Sequence, residues 1–250
     1  MPRADLLSQK YADERACEID PAAALTKPVA AGDVTAYDGE CGAPAGQGEV
    51  AEDTENLSTT HLTVADKWGN VVAYTLTIEQ TGGSGMVVPG RGFLLNNELT
   101  DFSTVYDADD PNRIEGGKRP RSSMSPTIVL EKGKPVLALG SPGGSTIITT
   151  VLQLLVNWFD LGMTLPQAMA APRASQRNSA TVTAEQAFID AYDAELAPLG
   201  HDLVPAGDGL TTDPFIGAAA AIELGPGRLM TAAAEPTRRG GGAARVVHPR

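Results

Sequence analysis

The chain has 250 residues, of which 42% are hydrophobic, and it carries a formal net charge of −12 at pH 7. This composition supplies a sizeable core for one or two domains. The acidic excess argues against nucleic acid and anionic membranes as partners, because phosphate groups are bound by clustered Lys and Arg.

The sequence predicts no membrane span, metal site or cofactor. It has no run of about 20 apolar residues. Its first residues lack the apolar region of a signal peptide, so the chain is either cytoplasmic or a piece whose export signal lies upstream. Cys17 and Cys41 allow one disulfide bond, and no cluster of metal ligands stands near them. With three His in all, a His-based zinc site is not expected.

The first 58 residues differ in character from the rest. Residues 4–19 predict an amphipathic helix, with Leu7, Tyr11 and Ile19 near one face. Residues 20–57 are rich in Pro, Gly, Ala, Asp and Glu and have no hydrophobic period. That composition predicts a long flexible segment.

Regular strand patterns begin after Thr60. Alternating apolar residues separated by Gly-containing turns predict two hairpins, with strands at 62–64, 71–78, 127–130 and 135–139. Between the hairpins the sequence predicts loops, including a dense polar patch at 96–102 and a surface loop at 103–119.

The C-terminal half alternates between helices and strands. Helices are predicted over 146–159, from an N-cap at Thr164, and over 187–196, with strands at 181–183, 203–204, 215–222 and 228–232. The Arg/Gly-rich tail from Thr237 is expected to be loose. Strands, then helices, then strands again favour an α+β layered domain over a βαβ repeat.

Three polar segments are candidates for chemistry. Residues 140–145, Gly-Ser-Pro-Gly-Gly-Ser, lie between a strand and a helix, where backbone N–H groups can bind an anion or a developing oxyanion. The same glycines are equally compatible with a tight turn that needs positive φ. Residues 121–126 offer hydroxyls and N–H groups, and residues 96–101 contain two carboxylates, although such segments are more often plain loops.

The two parts of the sequence, residues 1–58 and 59–250, meet at Ser58 and Thr59. A Thr-Thr pair at the head of a strand is, by itself, ordinary β-propensity. It is also what we expect where a chain is cut before Thr59, so that Thr59 acts as an N-terminal nucleophile. The motifs downstream favour the second interpretation.

Five motifs in order resemble the γ-glutamyltranspeptidase family. They are Thr-Thr-His-Leu-Thr-Val-Ala-Asp at 59–66, Thr-Ile-Glu-Gln at 77–80, Leu-Leu-Asn-Asn-Glu-Leu-Thr-Asp-Phe at 94–102, Lys-Arg-Pro-Arg-Ser-Ser-Met-Ser-Pro-Thr at 118–127 and Gly-Ser-Pro-Gly-Gly-Ser at 140–145. The similarity runs from Thr59 nearly to the C-terminus and corresponds to the family's small subunit. Residues 1–58 resemble the end of its large subunit.

The resemblance implies a fold, a processing event and partners. The fold is the N-terminal-nucleophile hydrolase αββα sandwich, here partial. The processing event is self-cleavage between Ser58 and Thr59, which divides the chain into 1–58 and a catalytic 59–250. The partners are glutathione and other γ-glutamyl compounds, amino acid or peptide acceptors, and the missing large-subunit portion. Extracellular or periplasmic location is expected on the same ground.

Residue roles also follow from the resemblance. Thr59 is the nucleophile and Thr77 assists it, while the N–H groups of Gly143 and Gly144 form an oxyanion hole. Two hydroxyls bind the α-carboxylate of the γ-glutamyl group and three carboxylates bind its α-ammonium, as charge complementarity requires. These residues are Ser122 and Ser123 for the carboxylate, and Glu79, Glu98 and Asp101 for the ammonium.

The sequence departs from the family at several positions. Glu79 stands where some members have Asn, and Glu98 where many have Gln. The loop after Phe102 is short, as in members without a lid, and Glu235-Pro236 replaces an Asp-Pro.

Two alternatives remain open at the sequence level. One is a cephalosporin or glutaryl acylase of the same superfamily, which needs no ammonium-binding carboxylates. The other is an inactive fragment that requires a partner chain.

Overall fold

The computed structural model describes residues 2–42, 46–48, 58–207 and 214–247, apart from the side chain of Arg228. The chain divides into two compact units. The smaller contains Met1–Ala51 and Gln176–Pro205, and the larger contains Glu52–Ser175 and Ala206–Arg250. The boundary predicted between Ser58 and Thr59 is a cleavage site and not a boundary between compact units, so it stays a prediction.

The described residues form α-helices and β-strands in mixed order along the chain. The helices are α1 (Arg3–Leu6), α2 (Gln9–Ala16), α3 (Ile147–Phe159), α4 (Leu165–Ala170) and α5 (Gln186–Leu196). The strands are β1 (Thr60–Ala65), β2 (Val71–Leu76), β3 (Thr127–Glu131), β4 (Lys134–Gly140), β5 (Ala174–Ser175), β6 (Val182–Ala184), β7 (Leu203–Pro205), β8 (Ala220–Leu224) and β9 (Met230–Ala234).

In the smaller unit, the predicted helix over 4–19 is wrong as a single element. It is broken into α1 and α2 because Ser8 adopts an extended conformation, with φ −70° and ψ 132°. Leu7, expected on a buried face, is exposed. Cys17 and Cys41 form a disulfide bond, the pairing that the sequence left open.

The same unit contains a parallel pair, β6 and β7, with α5 between them in sequence. The side-chain amide of Asn178 bonds both backbone groups of Val29. The Val29 N–H donates to Asn178 Oδ1 at 2.7 Å, and Asn178 Nδ2 donates to the Val29 carbonyl at 2.9 Å. A further backbone bond joins the Ala24 N–H to the Leu199 carbonyl. These bonds fasten the N-terminal segment to residues 176–205.

The larger unit is built on an antiparallel sheet of order β3-β4-β8-β9. Helices α3 and α4 pack on this sheet through a continuous apolar cluster that includes Leu137, Leu139, Ile147, Leu154 and Leu165. Each of these side chains is almost fully buried. Their burial supplies the hydrophobic free energy that fixes the helices on the sheet.

The β1–β2 hairpin contacts strands β4 and β8 of the same unit. Most of its inward residues are small or polar, and the Thr63 hydroxyl donates to the Ala220 carbonyl at 3.3 Å. Its outward residues are apolar and exposed: Leu62, Val64, Val72, Tyr74 and Leu76. The larger unit therefore places its sheet between helices and a hairpin, which confirms the predicted α+β class.

Local sequence signals placed most of these elements. Lys132 and Gly133 both take positive φ, 49° and 78°, in the predicted turn between β3 and β4. At the predicted N-cap of α4, the Thr164 N–H donates to Gln167 Oε1 at 2.9 Å. The predicted strand from residue 215 is wrong at its start, because Gly217, with φ 69°, interrupts it, and β8 begins at Ala220.

Candidate active site

Thr59 lies immediately before strand β1. It is only 7% exposed, yet it lines a cavity of about 390 Å³. The cavity is also lined by His61, by Pro142 of the glycine-rich turn, by Ala218–Ala220, and in the C-terminal segment by Arg239 and Gly241–Ala243. Ser58, on the other side of the predicted scissile bond, is within hydrogen-bond distance of Thr81, with 2.9 Å between their hydroxyl oxygens.

The glycine-rich turn joins β4 to α3 through a short 3₁₀ helix, Gly144–Thr146. Gly143 and Gly144 have φ values of 148° and 56°, in the region that favours glycine, and both are buried. The N–H and the hydroxyl of Thr146 both donate to the Gly143 carbonyl, at 3.2 and 2.8 Å. The turn is thus a fixed backbone at a helix N-terminus, where N–H groups collect.

Thr77 and Glu79 follow strand β2. Because Thr60 pairs with Leu76 in the β1–β2 register, Thr59 and Thr77 are the next residues beyond the ladder. The Glu79 N–H donates to the Thr77 hydroxyl oxygen at 2.8 Å, which leaves the hydroxyl hydrogen for another acceptor. Glu79 is buried and has φ 72°, an uncommon conformation for a residue with a side chain.

The acidic segment is tied to this point through Asn97. Its side-chain oxygen accepts the Gln80 N–H at 3.1 Å, and its own N–H donates to the Ile78 carbonyl at 3.2 Å. Glu98 and Asp101 form the ends of a 3₁₀ helix, Glu98–Asp101. Glu98 is half-buried, whereas Asp101 is 2% exposed.

Ser122 and Ser123 lie in an extended segment before β3. The exposed Ser122 hydroxyl accepts the Met124 N–H at 3.3 Å, and the buried Ser123 carries a carbonyl that accepts the Ser125 hydroxyl at 2.9 Å. The side chain of Asn112 joins this segment to the acidic one, because it bonds both the Asp101 carbonyl and the Arg121 N–H. The sequence had placed Asn112 in a plain surface loop.

His61 packs between the hairpin and the end of β4. A Cβ at Gly140 would come within 2.3 Å of the His61 ring, so only glycine fits there. The Thr63 hydroxyl donates to the Ala220 carbonyl, so it accepts from His61 Nε2, while His61 Nδ1 lies 2.8 Å from the Thr75 hydroxyl oxygen. Burial lowers the pKa of the ring from 6.5 to about 4, so the ring is neutral near pH 7 and its Nδ1 accepts from Thr75.

A buried ionic cluster anchors the C-terminal wall of the cavity, and its two arginines are not predicted from the sequence. Glu235 lies between the guanidinium groups of Arg173, at 2.9 Å, and Arg238. The two arginines also donate to backbone carbonyls of Met169, Ala171 and Ile216. The expectation of a loose tail from Thr237 is wrong at Arg238, which is buried by these bonds.

The structure brings some predicted residues together more closely than others. Among the described residues, Thr59 is the one member of the predicted set that lines the cavity, beside the glycine-rich turn. The segments that carry the predicted substrate-binding residues are joined to one another through the side chains of Asn97 and Asn112, which bond backbone groups of Gln80, Asp101 and Arg121. In the described part of the chain, no group of His, Cys, Asp and Glu is arranged to bind a metal ion, and no helix could cross a membrane.

A family model and individual relatives of known function indicate the same family for this chain. The family model of gamma-glutamyltranspeptidase matches residues 2–245. The glutathione hydrolase proenzyme of Bacillus subtilis (strain 168) is 42% identical over 201 residues, which is 80% of this chain and 34% of the relative. The chain thus spans about a third of that relative's length.

Solved structures agree with this family. An acivicin-inhibited γ-glutamyltranspeptidase, whose C-terminus has critical roles in autoprocessing and catalysis, is 40% identical with a TM-score of 0.63, covering 72% of this chain and 98% of that chain. The cephalosporin acylase of Bacillus halodurans is 26% identical with a TM-score of 0.70, covering 98% of this chain and 40% of that chain. The fold is of the N-terminal-nucleophile hydrolase type, and the chain belongs to the γ-glutamyltranspeptidase family.

Proposed function

We propose that this chain carries the nucleophile and most of the substrate site of a γ-glutamyltransferase and glutathione hydrolase. The observation that carries the proposal is the position of Thr59. It is buried before a strand and faces a cavity beside a fixed glycine turn, and both Thr59 and Thr77 lie directly beyond the last residue pair of the β1–β2 ladder. No His or Asp has to act as the base in this arrangement.

The first reaction is self-cleavage. The Thr59 hydroxyl adds to the carbonyl carbon of Ser58, and the Ser58–Thr59 amide breaks as an ester forms on the Thr59 oxygen. The amide nitrogen takes up the proton that the hydroxyl loses and becomes the free Thr59 α-amine. Water then hydrolyses the ester, which frees the Ser58 carboxylate and restores the Thr59 hydroxyl. An N-terminal α-amine ordinarily has a pKa of about 8, so it can accept the proton of its own hydroxyl near neutral pH.

The second reaction is acyl transfer. The Thr59 oxygen attacks the γ-carbonyl of the donor, and the N–H groups of Gly143 and Gly144 stabilise the oxyanion. The leaving amine of the donor, Cys-Gly in the case of glutathione, takes a proton and departs. Water or the amine of an amino acid or peptide then resolves the γ-glutamyl ester on Thr59.

Donor recognition is assigned to the network beyond the cavity. Ser122 and Ser123 bind the donor's α-carboxylate, and Glu79, Glu98 and Asp101 bind its α-ammonium. Two findings support this assignment. Asn97 ties the Glu79 segment to the acidic one, and Asn112 ties the acidic segment to the serine one.

A large-subunit chain is the proposed partner. The outward face of the β1–β2 hairpin exposes Leu62, Val64, Val72, Tyr74 and Leu76. Contiguous apolar surface of this kind marks a protein interface. Residues 1–58 would form the end of that large subunit, 59–250 the catalytic subunit, and the mature enzyme would be exported.

An acylase of the same superfamily is the second candidate, because a cephalosporin acylase matches nearly the whole chain. An acylase donor without an α-ammonium gains nothing from buried carboxylates. Glu79, Glu98 and Asp101 all carry carboxylates, which are the groups that bind an α-ammonium. The carboxylates therefore favour the γ-glutamyl donor.

The test is intact mass after incubation at neutral pH, on protein expressed from its complete gene. We expect a split between Ser58 and Thr59 in the wild type and in Thr60→Ala, the exposed neighbour, but not in Thr59→Ala. The split protein should hydrolyse γ-glutamyl anilide in preference to glutaryl anilide.

Other results have defined meanings. A split that persists in Thr59→Ala would contradict the nucleophile assignment. Preference for the glutaryl donor would select the acylase. A split by the complete protein but not by the isolated 250 residues would mean that the partner chain is required for processing.

A further inference from the structure

Asn112 lies midway between the two segments proposed to bind opposite ends of the donor's amino-acid group. The acidic segment ends at Asp101, and the serine segment begins at Arg121. They are twenty residues apart in sequence, so their spacing depends on whatever joins them in the folded chain. Nothing in the pattern of residues 103–119 had set Asn112 apart.

The side chain of Asn112 uses both of its ends. Nδ2 donates to the Asp101 carbonyl at 2.8 Å and to the Ser103 hydroxyl oxygen at 3.3 Å, while Oδ1 accepts the Arg121 N–H at 2.9 Å. The partners fix the amide orientation, since a carbonyl only accepts and a backbone N–H only donates. Asn is thus matched to two partners of opposite character.

The backbone of Asn112 is fixed as well. Its N–H donates to Asp110 Oδ1 at 2.7 Å, and its carbonyl accepts the Ser103 N–H at 3.2 Å. The side chain therefore extends from a rigid point. A movement of Asn112 would move Asp101 relative to Arg121.

We propose that Asn112 is a positioning residue, which sets the spacing between Asp101 on one side and Ser122 and Ser123 on the other. It does not touch the substrate or the reacting atoms. It holds the ammonium-binding and carboxylate-binding groups at the separation of the two charges on one α-carbon. This inference rests on the proposed donor site.

Asn112→Asp is the sharpest perturbation. A carboxylate oxygen can still accept the Arg121 N–H, but the other oxygen faces the Asp101 carbonyl, where two acceptors repel. Size and shape are retained, while the donor half of the amide becomes an acceptor and one negative charge is added. Asn112→Ala removes both the donor and the acceptor of the side-chain amide, so it gives the full loss of donor affinity.

Asn70→Asp is the matched control. Asn70 lies in the exposed turn between β1 and β2, where its Nδ2 also donates to an oxygen, Asp66 Oδ2, at 2.8 Å. The same amide-to-carboxylate change there breaks a comparable bond far along the hairpin from Thr59.

The experiment measures KM and kcat for γ-glutamyl anilide on protein expressed from its complete gene. We expect Asn112→Asp to raise KM about 10-fold, the loss expected for one hydrogen bond, with kcat changed less than about 2-fold. Turnover of glutaryl anilide, which lacks the ammonium, should be unchanged relative to wild type. Asn70→Asp should leave all three values unchanged.

A second measurement separates this inference from the proposed function. Calorimetric titration with L-glutamate reports the amino-acid site without turnover, and Asn112→Asp should bind about 10-fold more weakly than wild type. That result would support the inference even if the protein failed to split or turn over. Equal losses on both donors, an unchanged KM and glutamate affinity, or a wild type that does not bind glutamate would each overturn it.

Discussion

The buried cluster around Glu235 allows a test of how burial changes the cost of removing a charged partner. Glu235 accepts from Arg173 and Arg238, and all three side chains are at most 3% exposed. Replacing Glu235 with Gln keeps the shape and removes the negative charge. Two guanidinium groups then remain in the interior with a neutral neighbour.

The expected cost follows from that burial. Removing one partner of a buried ion pair typically costs about 3–5 kcal/mol, because the charge left behind is uncompensated. For a chain of this size, each kcal/mol lowers the melting temperature by about 2–4 °C, so the shift expected is about 6–20 °C. The carbonyl groups of Met169, Ala171 and Ile216 keep their hydrogen bonds to the arginines and limit the loss.

The control is the exposed pair Arg113–Glu115, with an N···O distance of 2.7 Å and a Glu115 side chain that is 51% exposed. Exposed pairs contribute about 0–1 kcal/mol, so Glu115→Gln should shift the melting temperature by no more than about 4 °C. Glu235→Asp keeps the negative charge on a side chain that is one methylene shorter, and Asp is the residue of the related Asp-Pro motif. This variant should therefore recover part of the melting temperature that Glu235→Gln loses.

The assay is thermal melting by circular dichroism, run beside intact-mass analysis of the split at Thr59. Because the segment after Glu235 lines the cavity around Thr59, we expect Glu235→Gln to slow the split as well as to destabilise the chain. A melting shift in Glu235→Gln as small as that in Glu115→Gln would refute the reasoning from burial.

Two further predictions concern pH and redox state. Burial lowers the pKa of His61 from 6.5 to about 4. Between these two pH values His61 is protonated in the unfolded chain but stays neutral in the folded chain. Stability should therefore fall as pH decreases through this window, by about 1–2 kcal/mol after allowance for the partly accessible ring, and urea melts of His61→Gln should lack this slope. The Cys17–Cys41 bond closes a loop with a sequence separation of 24. Its removal by paired Ser substitutions should destabilise the smaller unit by about 3 kcal/mol, and melts that match the wild type would contradict this expectation.

Short-range patterns predicted the larger unit well. The two hairpins, the helix after the glycine-rich turn, and the Thr164 cap were all predicted, because each depends on alternation, apolar period or turn chemistry within a few residues. The smaller unit was predicted less well. Its single N-terminal helix is broken at Ser8, and its attachment through Asn178 and Val29 joins residues 149 apart in sequence.

In the candidate site, too, the residues in short motifs were predicted and the residues that hold them in place were not. Thr59, Thr77, Gly143 and Gly144 were named from motifs, because nucleophile, assisting hydroxyl and glycine turn are short signatures. The roles assigned to these residues stay predictions. The supports around them were not named from the sequence, because each serves a partner distant in the chain; they include Asn112, Arg173, Arg238 and the neutral His61.

The sequence by itself determined the family motifs, the element types and the residues that carry chemistry, since these depend on local order along the chain. Only the tertiary structure decided which side chains hold those residues in place. The sequence marks Glu235 only as standing in place of an Asp, whereas the folded chain buries it between Arg173 and Arg238, where a charge without a partner is costly. Asn112 likewise gains its importance from having, within hydrogen-bond distance, one donor and one acceptor from separate segments.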